Sequence, residues 1–283
     1  MLIIFVGLDR AGKSSIKVYL ETLDVEKAKN TRMSNGLEAY IVGDFRIEIF
    51  PGQQKLRYNE KLYQVFFPPA SKIVLVVDAA DCQRFEDVKL YWKYIRKMIE
   101  KYCQQKPQII LLAHKQDIDG AIPPEKLKTI IFDREDFTKY RITTLGTSIY
   151  DPFSMSSLLN ILHGAKEASG DIAETLRRIT KAELAFIYDG HILPILYSPA
   201  RIDNNKIIIH INDILLSLEK IDRIQAFAGY FSTKNIAVIS INTDNRRVIA
   251  GVFGFKNKLS YVLERCRDAG RRYIEKYRDQ LWS

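Results

Sequence analysis

Eight residues near the start of the chain, Gly7-Leu8-Asp9-Arg10-Ala11-Gly12-Lys13-Ser14, constrain it more than anything that follows. They fit the pattern G-x-x-x-x-G-K-[ST], and the flanks are those the pattern requires. An apolar run of strand length, Leu2 to Val6, comes before, and Ile16, Tyr19, Leu20 and Leu23 follow at helical spacing. Glycines let backbone N–H groups turn inward around a phosphate, and the helix N-terminus adds its partial positive charge. On this reading Lys13 bridges the β- and γ-phosphates of a nucleotide and the Ser14 hydroxyl ligates Mg²⁺. Gly7, Asp9, Arg10, Ala11, Gly12 and Ser15 complete the cradle. Arg10 also reads as an ordinary exposed arginine.

The first half continues as alternating strands and helices. Short Ile- and Val-rich runs recur at Ile73 to Val77, Ile109 to Ala113 and Tyr140 to Leu145. Such runs mark strands covered on both faces, as in a parallel sheet. Between them, Val88, Tyr91, Tyr94, Ile95, Met98, Ile99 and Tyr102 keep helical spacing across Phe85 to Cys103. Pro123-Pro124 opens another helix through Ile131, and Ser154 to His163 reads as the last. The alternation predicts a doubly wound α/β domain over residues 1–165. Glu38 to Val42 and Phe45 to Phe50, joined by Gly43-Asp44, read as a hairpin inserted in it.

After Gly164 the pattern changes. Ala165 to Ala182 reads as a polar linker helix, so the expected divisions are 1–165, 166–182 and 183–283. Leu184 to Tyr188 pairs with Ile192 to Tyr197 through Asp189-Gly190, and Asn235 to Ile241 pairs with Arg247 to Phe255 through Thr243-Asp244-Asn245. Between these hairpins, Ile214, Leu215, Leu218, Ile221 and Ile224 predict a helix over Ile211 to Phe231, and a basic helix closes the chain from Leu259 to Leu281. The order predicts an α+β domain with an antiparallel sheet.

Composition narrows the class. Of 283 residues, 47% are hydrophobic and 27% charged, which excludes a disordered, collagen-like or disulfide-stapled chain. The net charge of +9 favours acidic partners without naming one. Cys82, Cys103 and Cys266 stand far apart, a count that fits a reducing compartment and argues against zinc. No apolar run reaches the roughly 18 residues a membrane span needs. Met1 to Val6 is too short for a signal peptide, Leu2 stands where myristoylation needs glycine, and no CaaX box closes the chain. A cytoplasmic protein is expected, touching membranes only through partners. The arginines of the last helix alternate with Glu264, Asp268, Glu275 and Asp279, which reads as a solvated face and gives no reason to expect nucleic acid.

A nucleotide fold also needs a base-reading loop. The run Ile109 to Ala113 leads into His114-Lys115-Gln116-Asp117. The usual guanine reader is N-K-x-D, whose Asp accepts two hydrogen bonds from guanine N1 and N2, an edge adenine does not offer. Asp117 takes that role, the Lys115 stem packs on the purine, and His114 replaces the Asn. Thr147-Ser148-Ile149 is the expected second base contact, with backbone N–H groups aimed at guanine O6.

Together these segments resemble a Rag/Gtr-type small GTPase, a relative of the Arf and Ras-like proteins. Gly7 to Ile16 resembles that family's P-loop, especially its C/D-type half. Phe50-Pro51-Gly52-Gln53 resembles the F-P-G-Q of the same half, His114-Lys115-Gln116-Asp117 its H-K-x-D, and Thr147-Ser148-Ile149-Tyr150-Asp151 its T-S-I-[WY]-D. The resemblance implies a Ras-like P-loop GTPase domain with a mostly parallel sheet. It also implies an α+β roadblock/longin-like domain with an antiparallel sheet, through which such proteins dimerise and meet scaffolds. One departure stands out. Where the family has W-D-F-P-G-Q, this chain has Glu48-Ile49-Phe50-Pro51-Gly52-Gln53. Ile49 cannot accept the hydrogen bond that holds the Mg²⁺ shell, so weaker metal coupling and slow hydrolysis are expected. Gln53 is the candidate for orienting the attacking water, with Gln54 as the alternative, and the Gly52 N–H is expected to sense the γ-phosphate. For the hydroxyl that completes the metal site, Ser34 is preferred and Thr31 kept open.

Two functional readings follow. The first is a GTP/GDP switch with Mg²⁺, in which Lys13 and Gln53 serve slow hydrolysis and the second domain makes a homo- or heterodimer with another Rag-like GTPase. A roadblock-type scaffold or an activating protein would be a further partner. The second is a nucleotide-binding scaffold with negligible hydrolysis. A P-loop kinase fits less well, for want of a lid-like arginine cluster. Tyr58 to Tyr63 and Phe66 to Pro69 read equally as a nucleotide-gated surface or as packing under the switch.

Overall fold

The structure, a computed structural model, describes the chain except residues 23, 32–35, 43–44, 164–167, 189–194, 198–225, 232–233, 243–246 and 282–283. The chain divides into two compact units, Met1–Leu158 and Leu159–Ser283.

The first unit runs β1 (Leu2–Val6), α1 (Lys13–Thr22), α2 (Val25–Lys29), β2 (Glu38–Val42), β3 (Phe45–Ile49), α3 (Gln54–Arg57), α4 (Glu60–Phe66) and β4 (Ala70–Asp78). A single 3-10 turn, Cys82–Arg84, leads into α5 (Phe85–Tyr102). Then come β5 (Gln108–His114), α6 (Pro124–Ile131), α7 (Arg134–Lys139), β6 (Ile142–Thr147) and α8 (Pro152–His163), whose end crosses the division. The sheet order is β2-β3-β1-β4-β5-β6, with β2 antiparallel to β3 and every other pair parallel. Because β1, β4, β5 and β6 run parallel, their C-terminal ends lie on one side, and the strand order reverses at β1, the place where ligands of open α/β sheets bind.

Burial explains the pattern. Ile73 to Val77 and Ile109 to Ala113 are buried at every position, as strands between two helical layers must be. On α5 the apolar stripe Phe85, Val88, Tyr91, Trp92, Ile95, Met98 and Ile99 is buried. Of the aromatics after the hairpin, Phe67 and Tyr63 are fully buried, Phe66 packs against the same core, and Tyr58 is exposed. A polar anchor sits among them. The fully buried Asp136 carboxylate accepts the Asp133 N–H at 2.9 Å, Trp92 Nε1–H at 3.0 Å and Arg96 Nη1–H at 3.1 Å.

The second unit contains α9 (Ala168–Thr180), β7 (Leu184–Tyr188), β8 (Ile195–Tyr197), β9 (Ala226–Phe231), β10 (Lys234–Asn242), β11 (Arg247–Phe253) and α10 (Leu259–Leu281) among its described residues. The sheet order is β8-β7-β11-β10-β9, antiparallel throughout. Leu176 of α9 and Val262, Cys266, Ala269 and Tyr273 of α10 share a core with Ala185, Ile187, Ala237, Ile239, Val248, Ala250 and Val252. Gly251 faces Phe186 across the β7–β11 pair, where an added Cβ would lie 2.4 Å from the ring.

One expected element is overturned. The helix read over Ile211 to Phe231 does not reach Phe231, because Ala226–Phe231 is strand β9, paired with β10. The helical spacing stops at Ile224; beyond it the aromatic residues Phe227, Tyr230 and Phe231 favour an extended strand, and β10 supplies the ladder. Residues 211–225 and the turns at Gly43-Asp44, Asp189-Gly190 and Thr243 to Asn245 lie outside the described residues. Sequence reading also missed the short helices α2, α3, α4 and α7, which are too brief to show a period.

Asp136→Ala would strand the Trp92 indole N–H and the Asp133 amide and deprive Arg96 of its buried partner. A loss of about 2–4 kcal/mol is expected, measured as chemical denaturation of the full chain.

Candidate functional site

The loop between β1 and α1 closes on itself around one ammonium group. Lys13 is 7% exposed, and its Nζ donates to the Gly7 carbonyl at 2.9 Å and the Leu8 carbonyl at 2.8 Å. Burial pushes its pKa down to about 7, the Arg57 and Arg84 charges add to the fall, and Asp9 and Glu38 oppose it. Two glycines make this loop shape possible. Gly7 has φ +152°, and a Cβ there would sit 2.3 Å from the Val76 carbonyl oxygen of β4. Gly12 has φ +97°, and a Cβ there would sit 2.3 Å from the His114 ring. Arg10, also at positive φ (61°), is exposed at the rim.

The loop forms one wall of a cavity of about 560 Å³, within the usual range of small-molecule sites. Asp9, Arg10, Ala11, Gly12, Lys13, Ser14 and Ser15 line it from the loop, with Gly52, Gln53, His114, Lys115, Asp117 and Ile149 from the other expected segments. Gly7 and Ser148 lie behind the lining, one shaping the loop and the other holding Asp117. Thr31 lines the cavity too, and its Oγ1 is 2.9 Å from Ser15 Oγ. Ser34 lies outside the described residues. Gln53 lines the cavity as the residue before α3, whereas Gln54 is exposed within it. The Gly52 carbonyl accepts the Asp9 N–H at 3.1 Å, an approach a side chain would block, since a Cβ on Gly52 would lie 2.4 Å from that nitrogen. Ile49 is fully buried on β3 and is not among the lining residues.

The opposite end is built from the β5 and β6 loops. His114 is buried, its Nδ1 3.0 Å from Thr147 Oγ1, and burial, aided by the Lys115 charge, lowers its pKa to about 4. The ring is therefore neutral at pH 7. It packs against Gly12, tying this loop to the first. Lys115 Nζ reaches Asp78 Oδ2 at 2.5 Å. Asp117 Oδ1 accepts from Ser148 Oγ at 2.5 Å, and that same hydroxyl oxygen accepts the Tyr150 N–H at 3.0 Å. The Ser148 N–H is itself engaged by Ser154 Oγ at 3.0 Å. Ser148 thus acts through its hydroxyl on the Asp117 carboxylate, while Ile149 and Tyr150 supply the wall.

Sequence reading missed Lys29, Phe50, Ile118 and Tyr150 as lining residues. It also missed Arg84, whose guanidinium pairs with Asp9 from 75 positions away, and Arg57, buried with its guanidinium 5.1 Å from the Tyr58 ring centroid and 5.5 Å from that of Tyr91. Nothing local marks a lone arginine that reaches across the fold.

The family model of the ADP-ribosylation factor (Arf) family matches residues 1–163, more than half of the chain. The chain belongs to the Arf family. Among its relatives, ADP-ribosylation factor-like protein 5 of Caenorhabditis elegans is 33% identical over 128 residues, 45% of this chain and 68% of that protein. ADP-ribosylation factor-like protein 2 of Arabidopsis thaliana is 26% identical over 133 residues, 46% of this chain and 68% of that protein. The solved Arl6 small GTPase of Trypanosoma brucei, with a bound nucleotide analogue, is 19% identical with a TM-score of 0.47, covering 58% of this chain and 95% of that one. As an Arf-family protein the chain is a small GTPase with a Ras-like α/β domain. No helix among the described residues is long and apolar enough to cross a membrane.

An Arf-family site built this way makes binding a proton-linked event. Burial lowers the Lys13 pKa to about 7, whereas a phosphate beside it would favour the charged form. Between pH 7 and the ordinary lysine value of 10.5, binding therefore takes up a proton and the affinity for GDP falls as pH rises, by up to about tenfold per pH unit. Calorimetry near pH 8.5 in two buffers of different protonation enthalpy should show the uptake.

Proposed function

We propose that this chain is a Rag-like GTPase that binds GTP and GDP with Mg²⁺, hydrolyses GTP slowly, and pairs through its second unit. The observation that carries it is the cavity itself, with the buried Lys13 ammonium at one end and the Asp117 carboxylate, oriented by Ser148, at the other. A triphosphate replaces the Gly7 and Leu8 carbonyls as the partner of Lys13, and guanine N1–H and N2–H₂ donate to Asp117. The neutral His114 keeps the two loops in register.

Mg²⁺ fits the residues present. Ser14 lines the cavity beside Lys13, and among the described residues no group of three His, Cys, Asp or Glu side chains forms a rival metal site. One hydroxyl with phosphate oxygens and water is the hard-oxygen set that Mg²⁺ prefers, and the bound ion would neutralise charge on the phosphates. For the second hydroxyl Ser34 remains the choice, and Thr31, which lines the cavity and is tied to Ser15, is the alternative. The buried Ile49 brings no oxygen to this shell, which supports slow turnover. Gln53 orients the attacking water, and the Gly52 N–H meets the γ-phosphate.

The finer assignment rests on the four segments from Gly7, Phe50, His114 and Thr147, and on the antiparallel five-stranded sheet of the second unit with α9 and α10 packed on it. A homo- or heterodimer with another Rag-like GTPase, a roadblock-type scaffold or an activating protein, and a cytoplasmic site with recruitment to membranes through partners belong to the same proposal. Ile49 favours a second reading, a scaffold subunit that holds nucleotide without hydrolysing it.

Single-turnover hydrolysis separates the two. The wild type should cleave GTP slowly and Gln53→Leu at least about tenfold more slowly; equal, water-like rates favour the scaffold. Asp117→Asn should lower GTP affinity by about a hundredfold and improve binding of xanthosine triphosphate, because Asn presents a donor where guanine also donates. Sedimentation of the full chain alone and with an A/B-type Rag partner tests the pairing.

A further inference from the structure

Two carboxylates line the cavity, Asp117 at the base end and Asp9 at the phosphate end. The first has a purpose in the reading above. The second is an anion placed where the ligand's own negative charge is greatest, and such a group opposes binding unless something offsets it. Arg84 does so. It closes the 3-10 turn Cys82–Arg84, and its guanidinium grips Asp9 twice, Nη1–H to the backbone carbonyl at 3.0 Å and Nη2 to Oδ1 at 2.5 Å. Burial alone would raise the Asp9 pKa, but the hydrogen bond and charge of Arg84 more than offset it, so the carboxylate stays ionised. Both side chains remain about 30% exposed.

Asp9 is held on its other side as well. Its N–H donates to the Gly52 carbonyl at 3.1 Å, and Gly52 begins the segment expected to sense the γ-phosphate. One arginine therefore fixes both the charge and the position of the residue at which the first loop meets that segment. This geometry has a chemical consequence specific to the terminal phosphate. On the reading above, the γ-phosphate lies between Lys13 and the Gly52 N–H, and the Asp9–Gly52 hydrogen bond sets that segment beside Asp9, so a triphosphate meets the Asp9 charge more closely than a diphosphate does.

We infer that Arg84 is a positioning residue that sets the preference for the triphosphate over the diphosphate, by holding and neutralising Asp9. The inference rests on the guanine-nucleotide reading proposed above and adds to it a determinant of which nucleotide is held. Without Arg84 the bare Asp9 carboxylate repels the γ-phosphate. With Asp9 made neutral, the arginine is no longer required.

The test is a double-mutant cycle on the full chain, stripped of nucleotide and titrated with GDP and with β,γ-imido-GTP in the presence of Mg²⁺. Arg84→Ala should weaken the triphosphate about tenfold more than GDP. Asp9→Asn in the Arg84→Ala background should return the ratio to the wild-type value, and Arg84→Lys should keep most of it. Asp9→Asn alone, which leaves the unpaired arginine beside the γ-phosphate, should shift the ratio toward the triphosphate and does not depend on Arg84→Ala folding. A ratio unchanged by Arg84→Ala, no recovery in the double variant, or a shift toward GDP in Asp9→Asn overturns the inference while leaving guanine-nucleotide binding intact. A wild-type chain that binds neither ligand overturns the reading on which it rests.

Discussion

A lysine ammonium taken out of water is costly unless its donors are satisfied, and the first unit is arranged around one that is. Lys13 has given up solvent for two carbonyls of its own loop, at 2.9 and 2.8 Å, and its pKa has fallen to about 7. The loop can bend back to offer those carbonyls only because Gly7 and Gly12 accept backbone angles and approaches that a Cβ forbids. Each carbonyl is a weak partner for a full charge. A phosphate is a strong one, so an anionic ligand at this loop would replace two weak partners of Lys13 with one that matches its charge. What lies around the loop bears on that exchange: Ser14 beside it, Asp9 and Gly52 at its edge, and His114 against its back.

The contact between His114 and Gly12 deserves weight because it joins the two ends of the site. The β5 loop and the first loop are brought together by strand order, with β4 between β1 and β5. The imidazole fills the space that Gly12 leaves and is fixed by Thr147 at the end of β6. On the proposed reading, phosphate and base recognition are therefore parts of one packed arrangement, and the position of Asp117 relative to Lys13 is set by side-chain packing rather than by loop length. The Asp9–Gly52 hydrogen bond does the same for the segment after β3.

Much of this was legible in the sequence, for identifiable reasons. The parallel core was readable because strands buried on both faces are unbroken apolar runs, as at Ile73 to Val77. The first loop was readable because its residue types are dictated by backbone geometry. The places of Gln53, His114 and Asp117 along the cavity were readable from their order after it. Arg84 was not, because its partner is set by the fold and no spacing encodes it. Thr31 against Ser34 stayed open because switch segments have no period, and only Thr31 falls among the described residues. The misread segment ending at Phe231 shows how a run of helical spacing borrows residues from the strand that follows. The second unit gave up its sheet through paired hairpin patterns, whereas its kinship to the roadblock/longin fold is a likeness of pattern without a motif, and so stands as proposal beside the plain Arf-family membership of the first.

The central claim is that a guanine nucleotide occupies this cavity, its phosphates on Lys13 and its base on Asp117. The most direct measurement is to denature the purified full chain, before and after reloading with an excess of mixed ATP and GTP, and to identify the released nucleotide by chromatography. The account predicts GDP or GTP in close to equimolar amount. Release of an adenine nucleotide, or of none after reloading, would contradict it.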